Sequence, residues 1–110
     1  MAAAWNADRP DNGWEHDVTE RQDIFTADDA RQIGESIGID WGSSPFDVEQ
    51  FRAGLHVELE HGRCDPETNV TDDDRIITGK IARAHLNEVP DYYTRLAKME
   101  AEAEAYWSSR

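Results

Sequence analysis

Apolar residues recur at the spacing of an α-helix in four separate segments, and this recurrence limits the possible folds more than any other feature. The clearest segment starts at Asp47, which can cap a helix, with Gln50 three residues later to complete a capping box. Phe46 and Phe51 are spaced as a hydrophobic staple across that start. The sequence therefore predicts a helix over 48–61, which ends at a glycine and has one buried side: Val48, Phe51, Leu55 and Leu59.

Three further segments carry comparable start and stop signals. Thr26 and Gly38 bound a predicted helix over 27–37, because threonine is a good N-cap and glycine favours a helix end. Successive aspartates favour a helix over 75–88, and the residues after Pro90 predict one over 91–107. We therefore expect a mainly α fold, a compact bundle of about four helices with no sheet of more than two short strands.

The same periodicity predicts which faces of the last two helices are buried. On the third helix the expected inward stripe is Ile77, Ile81, Ala84 and His85. On the fourth helix the expected buried residues are Tyr93, Leu96, Met99 or Ala103, and Tyr106 or Trp107.

Residues 1–23 differ in character from the helical domain predicted over 24–110. They are polar and show no helical or strand period, which is typical of an appended N-terminal arm. Trp5 and Trp14 are the obvious anchors for such an arm. Two arrangements are open: the tryptophans dock on the domain itself, or they bind a protein partner or a second copy of the chain.

The charge balance narrows the class of partner. The chain has 24 acidic residues against 11 lysines and arginines, a formal net charge of −13, so nucleic acid would be repelled. No apolar run approaches the roughly 20 residues of a membrane span. Cys64 is the single cysteine and cannot form an internal disulfide, which favours the reducing cytoplasm.

Two carboxylate–histidine pairs are the sharpest candidates for chemistry. Glu58 and His61, and likewise His85 and Glu88, stand three residues apart and share a helix face. Glu-x-x-His pairs on facing helices build di-iron and di-manganese sites in helical bundles, so a divalent metal (iron, manganese or zinc) is one interpretation. The other is structural: His61 caps a helix end and His85 is a hydrogen-bonded core histidine.

Helix packing decides whether the two pairs can share an ion. In an antiparallel hairpin of the second and third helices, His85 would lie near Phe51, and the pairs would be separated by about 15 Å along the axis. A steep crossing, a parallel packing or a second subunit would be needed to bring them together.

Three stretches together resemble a bacterial family of unknown function. They are 46–62, 68–74 and 78–96, for example Phe-Asp-Val-Glu-Gln-Phe-Arg-Ala-Gly-Leu-His at the start of the first and Thr-Gly-Lys-Ile-Ala-Arg-Ala-His at the start of the third. The resemblance is to domain of unknown function 5661, and it covers roughly residues 25–99. It implies a small helical fold and no assigned activity.

Two functions of different classes follow. The first is a non-catalytic, small, acidic interaction subunit or adaptor that engages a protein partner or its own copy. The second is a divalent-metal protein that uses Glu58, His61, His85 and Glu88. The sequence leaves open whether the chain is an enzyme.

Overall fold

The computed structural model describes residues 24–109, and within this range it contains four α-helices and no strand. Helix α1 is Ala27–Ser36, α2 is Val48–Glu58, α3 is Arg75–Glu88 and α4 is Tyr92–Ser108. A 3-10 turn, Leu59–His61, extends α2. The predicted mainly α fold is confirmed. The predicted arm, with Trp5 and Trp14, lies outside the described residues.

Side-chain caps set the starts of the first three helices. Thr26 and Asp29 form a reciprocal capping box, in which each backbone N–H donates to the other residue's side chain at 3.0 Å. The hydrogen bonds from Thr26 lower the pKa of Asp29. Asp47 caps α2 by accepting from the Gln50 N–H at 2.9 Å. The amide of Gln50 donates to Thr94 at 2.6 Å instead of completing the expected box.

Thr26→Ala is expected to lower the free energy of unfolding by about 1 kcal/mol, because α1 loses the acceptor that satisfies one N-terminal N–H group. Thr26→Ser keeps the oxygen and should cost much less. Urea unfolding followed by circular dichroism measures both variants. Equal losses for alanine and serine would show that the cap contributes nothing.

The core forms where the first three helices and the start of α4 meet. Phe46 and Phe51 are both buried, with ring centroids 6.5 Å apart, as the predicted staple requires. Trp41 packs edge-on against Phe51 and donates its indole N–H to the Arg31 carbonyl at 3.1 Å. The connector between α1 and α2 is thereby fixed to the core. The buried cluster comprises Phe25, Ala30, Ile33, Ile39, Phe46, Phe51, Leu55, Leu59, Ala82, Leu86 and Tyr93.

Helix α3 buries mainly small residues, and the predicted inward stripe is wrong for Ile77 and Ala84, whereas Ile81 and His85 are half-buried. Ile77 is 45% exposed and Ala84 is also exposed, whereas the buried positions are Thr78, Gly79, Ala82 and Leu86. The cause is close packing: a Cβ added to Gly79 would lie 2.9 Å from Ile33. A bulky isoleucine would not fit at such an approach; Ile76 and Ile77 are exposed, and Ile81 is half-buried.

Helices α2 and α3 do not form an antiparallel hairpin. A Cβ added to Gly79 would lie 3.4 Å from Phe51, and one added to Gly54 would lie 3.0 Å from Ala82. From the first contact to the second, the residue number increases on both helices, from 51 to 54 on α2 and from 79 to 82 on α3. In an antiparallel pair it would increase on one helix and decrease on the other. The connection 62–74 returns to the end of α2, so α3 begins beside that end. In a parallel packing α3 would begin beside the start of α2. We therefore conclude that α3 crosses α2 steeply.

Helix α4 contacts the core chiefly through its first two turns. Tyr93 is its one buried residue among those described, and Leu96 is half-buried. Of the expected pair Met99 or Ala103, Ala103 is half-buried and Met99 is 46% exposed. The expectation that Tyr106 or Trp107 would be buried is wrong, because they are 52% and 60% exposed. The second half of this helix therefore presents apolar side chains on the surface.

Candidate functional sites

A buried carboxylate lies where α2, α3 and α4 meet. Glu58 is 4% exposed, and its Oε2 accepts a hydrogen bond of 2.7 Å from the hydroxyl of Tyr93. The Tyr93 ring can approach this closely because residue 54 is glycine, where an added Cβ would lie 2.5 Å from the ring. A buried carboxylate is costly without hydrogen-bonding partners, so Tyr93 stabilises Glu58 in place.

Both predicted histidines reach this one carboxylate. The Nε2 atom of His61 lies 3.8 Å from Glu58 Oε1, and the Nε2 atom of His85 lies 3.7 Å from Oε2. The predicted separation of Glu58 from His85 is therefore wrong, because it assumed an antiparallel hairpin and the helices cross steeply. Glu88, the fourth predicted residue, is exposed at the last position of α3.

Aromatic rings hold His85 in position. Its imidazole stacks on the Tyr92 ring with centroids 4.4 Å apart and an interplanar angle of 9°. Tyr93 meets His85 edge-on at 6.2 Å. Both His61 and His85 are half-buried, so solvent reaches the imidazoles but hardly reaches Glu58. We call Glu58, His61, His85 and Tyr93 the Glu58 cluster.

The geometry of the Glu58 cluster is that of a polar network across three helices. The imidazole–carboxylate distances in the cluster exceed those of direct hydrogen bonds. If these side chains bound one metal ion, each ligand atom would lie about 2.0–2.2 Å from that ion. Over residues 24–109, no three His, Cys, Asp or Glu side chains are grouped so that they could hold a metal ion. The Tyr93–Glu58 hydrogen bond is thus the best-defined interaction in the cluster.

Alkaline pH should destabilise the fold through Tyr93. Burial raises the pKa of Tyr93 well above its ordinary 10.0, and the Glu58 hydrogen bond and charge raise it further. The unfolded chain then loses this proton near its ordinary pKa while the folded chain keeps it. Stability should fall as pH rises past that value, by about 1.4 kcal/mol per pH unit.

Urea unfolding from neutral pH to about 11 measures this slope. Tyr93→Phe should reduce the slope of the free energy of unfolding against pH by about 1.4 kcal/mol per pH unit. The exposed lysines contribute equally to the slope in both proteins. An identical slope in both proteins would contradict the assignment.

The second candidate site is an apolar surface on α4. Leu96, Met99, Ala103 and Tyr106 follow one another at intervals of three and four residues, so they share one face of the helix. Tyr106 and Trp107 contact each other edge-on with centroids 5.3 Å apart, and both keep more than half of their surface exposed. The residues Leu96, Met99, Ala103, Tyr106 and Trp107 are called the α4 stripe below.

Negative charge accompanies the α4 stripe. Glu100, Glu102 and Glu104 interleave with it, and no lysine or arginine occurs between Met99 and Ser108. Partial burial raises the pKa of Glu100, and the nearby Glu60 carboxylate raises it further. The last turn of α4 also has no basic residue to balance the negative end of the helix dipole.

One surface depression lies apart from both sites. It has a volume of about 240 Å³ and is lined in part by Asp40, Arg83 and Asn87. Arg83 donates to the Ile37 carbonyl at 2.6 Å, so this guanidinium already caps the end of α1.

These features define a small, acidic, all-α domain with an internal carboxylate–imidazole–phenol cluster. Residues 30–102 match the model of a protein family of unknown function, domain of unknown function 5661, and the chain belongs to that family. The resemblance found in the sequence is confirmed. No curated protein and no solved structure matches the chain. None of the helices between residues 24 and 109 has the length and apolar character needed to cross a bilayer.

Proposed function

We propose that the chain is a non-catalytic interaction subunit, whose task is to bind another protein through apolar surface on its last two helices. The observation that carries the proposal is the exposure of large apolar residues on α3 and α4, above all Ile77 and Met99. Exposed apolar patches on folded domains commonly mark protein-binding sites, so this exposure supports an interaction function.

The Glu58 cluster supports the same proposal because it has a structural role. A catalytic acid–base pair needs a proton acceptor within hydrogen-bonding reach of a substrate. Here Glu58 is buried and already bonded to Tyr93, and His85 stacks on Tyr92 and meets Tyr93 edge-on. The cluster joins three helices and so fixes the direction in which α4 leaves the core.

Affinity purification of the full chain, expressed at its natural level, tests this function. We expect a companion polypeptide at fixed stoichiometry that rebinds the purified chain in a two-component titration. A chain that is monomeric at its natural concentration and rebinds none of the co-purified proteins would contradict the proposal.

A divalent-metal function is the second candidate, and one observation favours it: two imidazoles flank one carboxylate at 3.7 and 3.8 Å. Binding would require the half-buried histidines to move toward a common point, since the present grouping does not hold an ion. Equilibrium dialysis against iron, manganese and zinc, with His85→Ala as the control, tests it. Near-stoichiometric uptake that is lost in the variant would favour this candidate over the first.

A further inference from the structure

We infer that the N-terminal arm, residues 1–23, binds in cis to the exposed face of α3, with Trp14 as its apolar anchor. The inference concerns a contact within one chain, so it goes beyond the proposed function and does not depend on it. It has a consequence for that function, because a protein that binds at Ile77 would have to displace the arm.

The exposed face of α3 combines apolar and basic side chains. Ile76 and Ile77 are 40% and 45% exposed. Ala84 is also exposed, and it lies two turns after Ile77 on the same side of the helix. Lys80 is exposed beside them, and no carboxylate between residues 24 and 109 forms an ion pair with it. We call Ile76, Ile77, Lys80 and Ala84 the α3 face.

Charge selects an acidic occupant for the α3 face. Helix α3 has three lysines and arginines and a single acid, Glu88 at its last position, although the whole chain has a net charge of −13. The arm has six acidic residues and two arginines, together with Trp5 and Trp14. An acidic segment that carries large apolar groups complements a face that is both basic and apolar.

The arm joins the domain beside the start of α3. Phe25 is 2% exposed, and the guanidinium carbon of Arg75, the first residue of α3, lies 5.3 Å from the centre of its ring. Arg52 donates to the Phe25 carbonyl at 2.6 Å, which fixes this junction to α2. Trp14 precedes Ile24 by ten residues, or up to about 33 Å of extended chain, whereas α3 is about 21 Å long. Trp14 can therefore reach any part of the α3 face.

Covalent linkage favours the arm over a separate molecule. A tethered segment meets its binding surface at an effective concentration on the order of millimolar, whereas a second molecule is limited by its own concentration. Two copies that paired through their α3 faces would also bring like charges together. The arm of the same chain is therefore the occupant that the α3 face favours.

Photo-crosslinking of the purified full chain tests the inference. Benzoylphenylalanine is placed at Ile77 or, as the control, at Ala53, which is exposed on α2. Isotopically light and heavy chains are mixed before irradiation, so that mass spectrometry distinguishes crosslinks within a chain from crosslinks between chains. We expect position 77, and not position 53, to crosslink a peptide from residues 1–23 of the same chain.

Charge reversal tests the electrostatic part of the contact. Lys80→Glu should lower the yield of the crosslink from position 77 by about twofold or more, because it replaces an exposed attraction by a repulsion. Lys98→Glu makes the same change of charge at an exposed position of α4 and should leave the yield unchanged. Unchanged circular dichroism of both variants shows that the fold is intact.

The outcomes separate the inference from the proposed function. Crosslinks from position 77 to the arm of another chain, equal crosslinking from positions 53 and 77, or no crosslink to the arm would each overturn the inference. A different polypeptide that rebinds the purified chain would still support the interaction function in all three cases. The absence of any such polypeptide would contradict the function and leave the contact of the arm with α3 in place.

Discussion

Gly54→Ala is expected to destabilise the protein by about 3 kcal/mol, although alanine is intrinsically the better helix former. An added Cβ would lie 2.5 Å from the Tyr93 ring and 3.0 Å from the Ala82 Cβ. The ring cannot move away without weakening the Tyr93–Glu58 hydrogen bond, so steric and polar losses add. Together they exceed the gain of about 1 kcal/mol in helix propensity.

Gly42→Ala is the matched control for this substitution. There the added Cβ would meet only the Asp40 carboxylate, at an ordinary 3.4 Å in an exposed turn. Its effect should stay within about 0.5 kcal/mol. Urea unfolding of both variants provides the comparison. A Gly54→Ala protein as stable as the wild type, or more stable, would mean that α2 and Tyr93 are not in close contact.

Tyr93→Phe is expected to cost about 2 kcal/mol, because it leaves the buried Glu58 carboxylate without its hydroxyl donor. The double variant Glu58→Met/Tyr93→Phe, in which methionine removes the carboxylate acceptor, should lose less than the sum of the two single variants, with a coupling of about 1–2 kcal/mol.

Tyr92→Phe controls for the loss of a hydroxyl from a neighbouring half-buried ring, and we expect a change below about 0.5 kcal/mol. Chemical denaturation of the four members of the cycle and the control measures these energies. Strict additivity in the cycle would show that Glu58 and Tyr93 do not interact.

The positions of the helices follow from local signals, and these are present in the sequence. Thr26 and Asp47 cap α1 and α2 as expected, and Gly38 follows the end of α1 with a φ of 94°, which glycine adopts without strain. Each of these features depends on residues within one turn of the chain. They could therefore be predicted without knowing how the helices pack.

The buried face of α3 could not be predicted in the same way. Periodicity selects the bulky residues Ile77 and Ile81, but the face that packs closely against the other helices is the one with Gly79 and Ala82. The steric demand that decides this comes from α1 and α2, which are distant in sequence. The small residues of α3 are the sequence signal for this buried face. A prediction based on hydrophobicity gives them less weight than the isoleucines.

The Glu58 cluster was predicted in part for a related reason. Glu58, His61 and His85 were identified from their residue types and spacing, and these three do converge. Tyr93 was expected to be buried, but its bond to Glu58 depends on the steep crossing of α2 and α3 and on the space at Gly54. Neither can be inferred from one helix at a time.

Native mass spectrometry of the full chain, isolated under mild conditions from the cells that produce it, tests the central claim most directly. It reports bound protein and bound metal in one spectrum. The interaction function predicts the chain in a complex with a different polypeptide, without stoichiometric iron, manganese or zinc. A 12.5 kDa chain alone, carrying one or two of these ions, would contradict it.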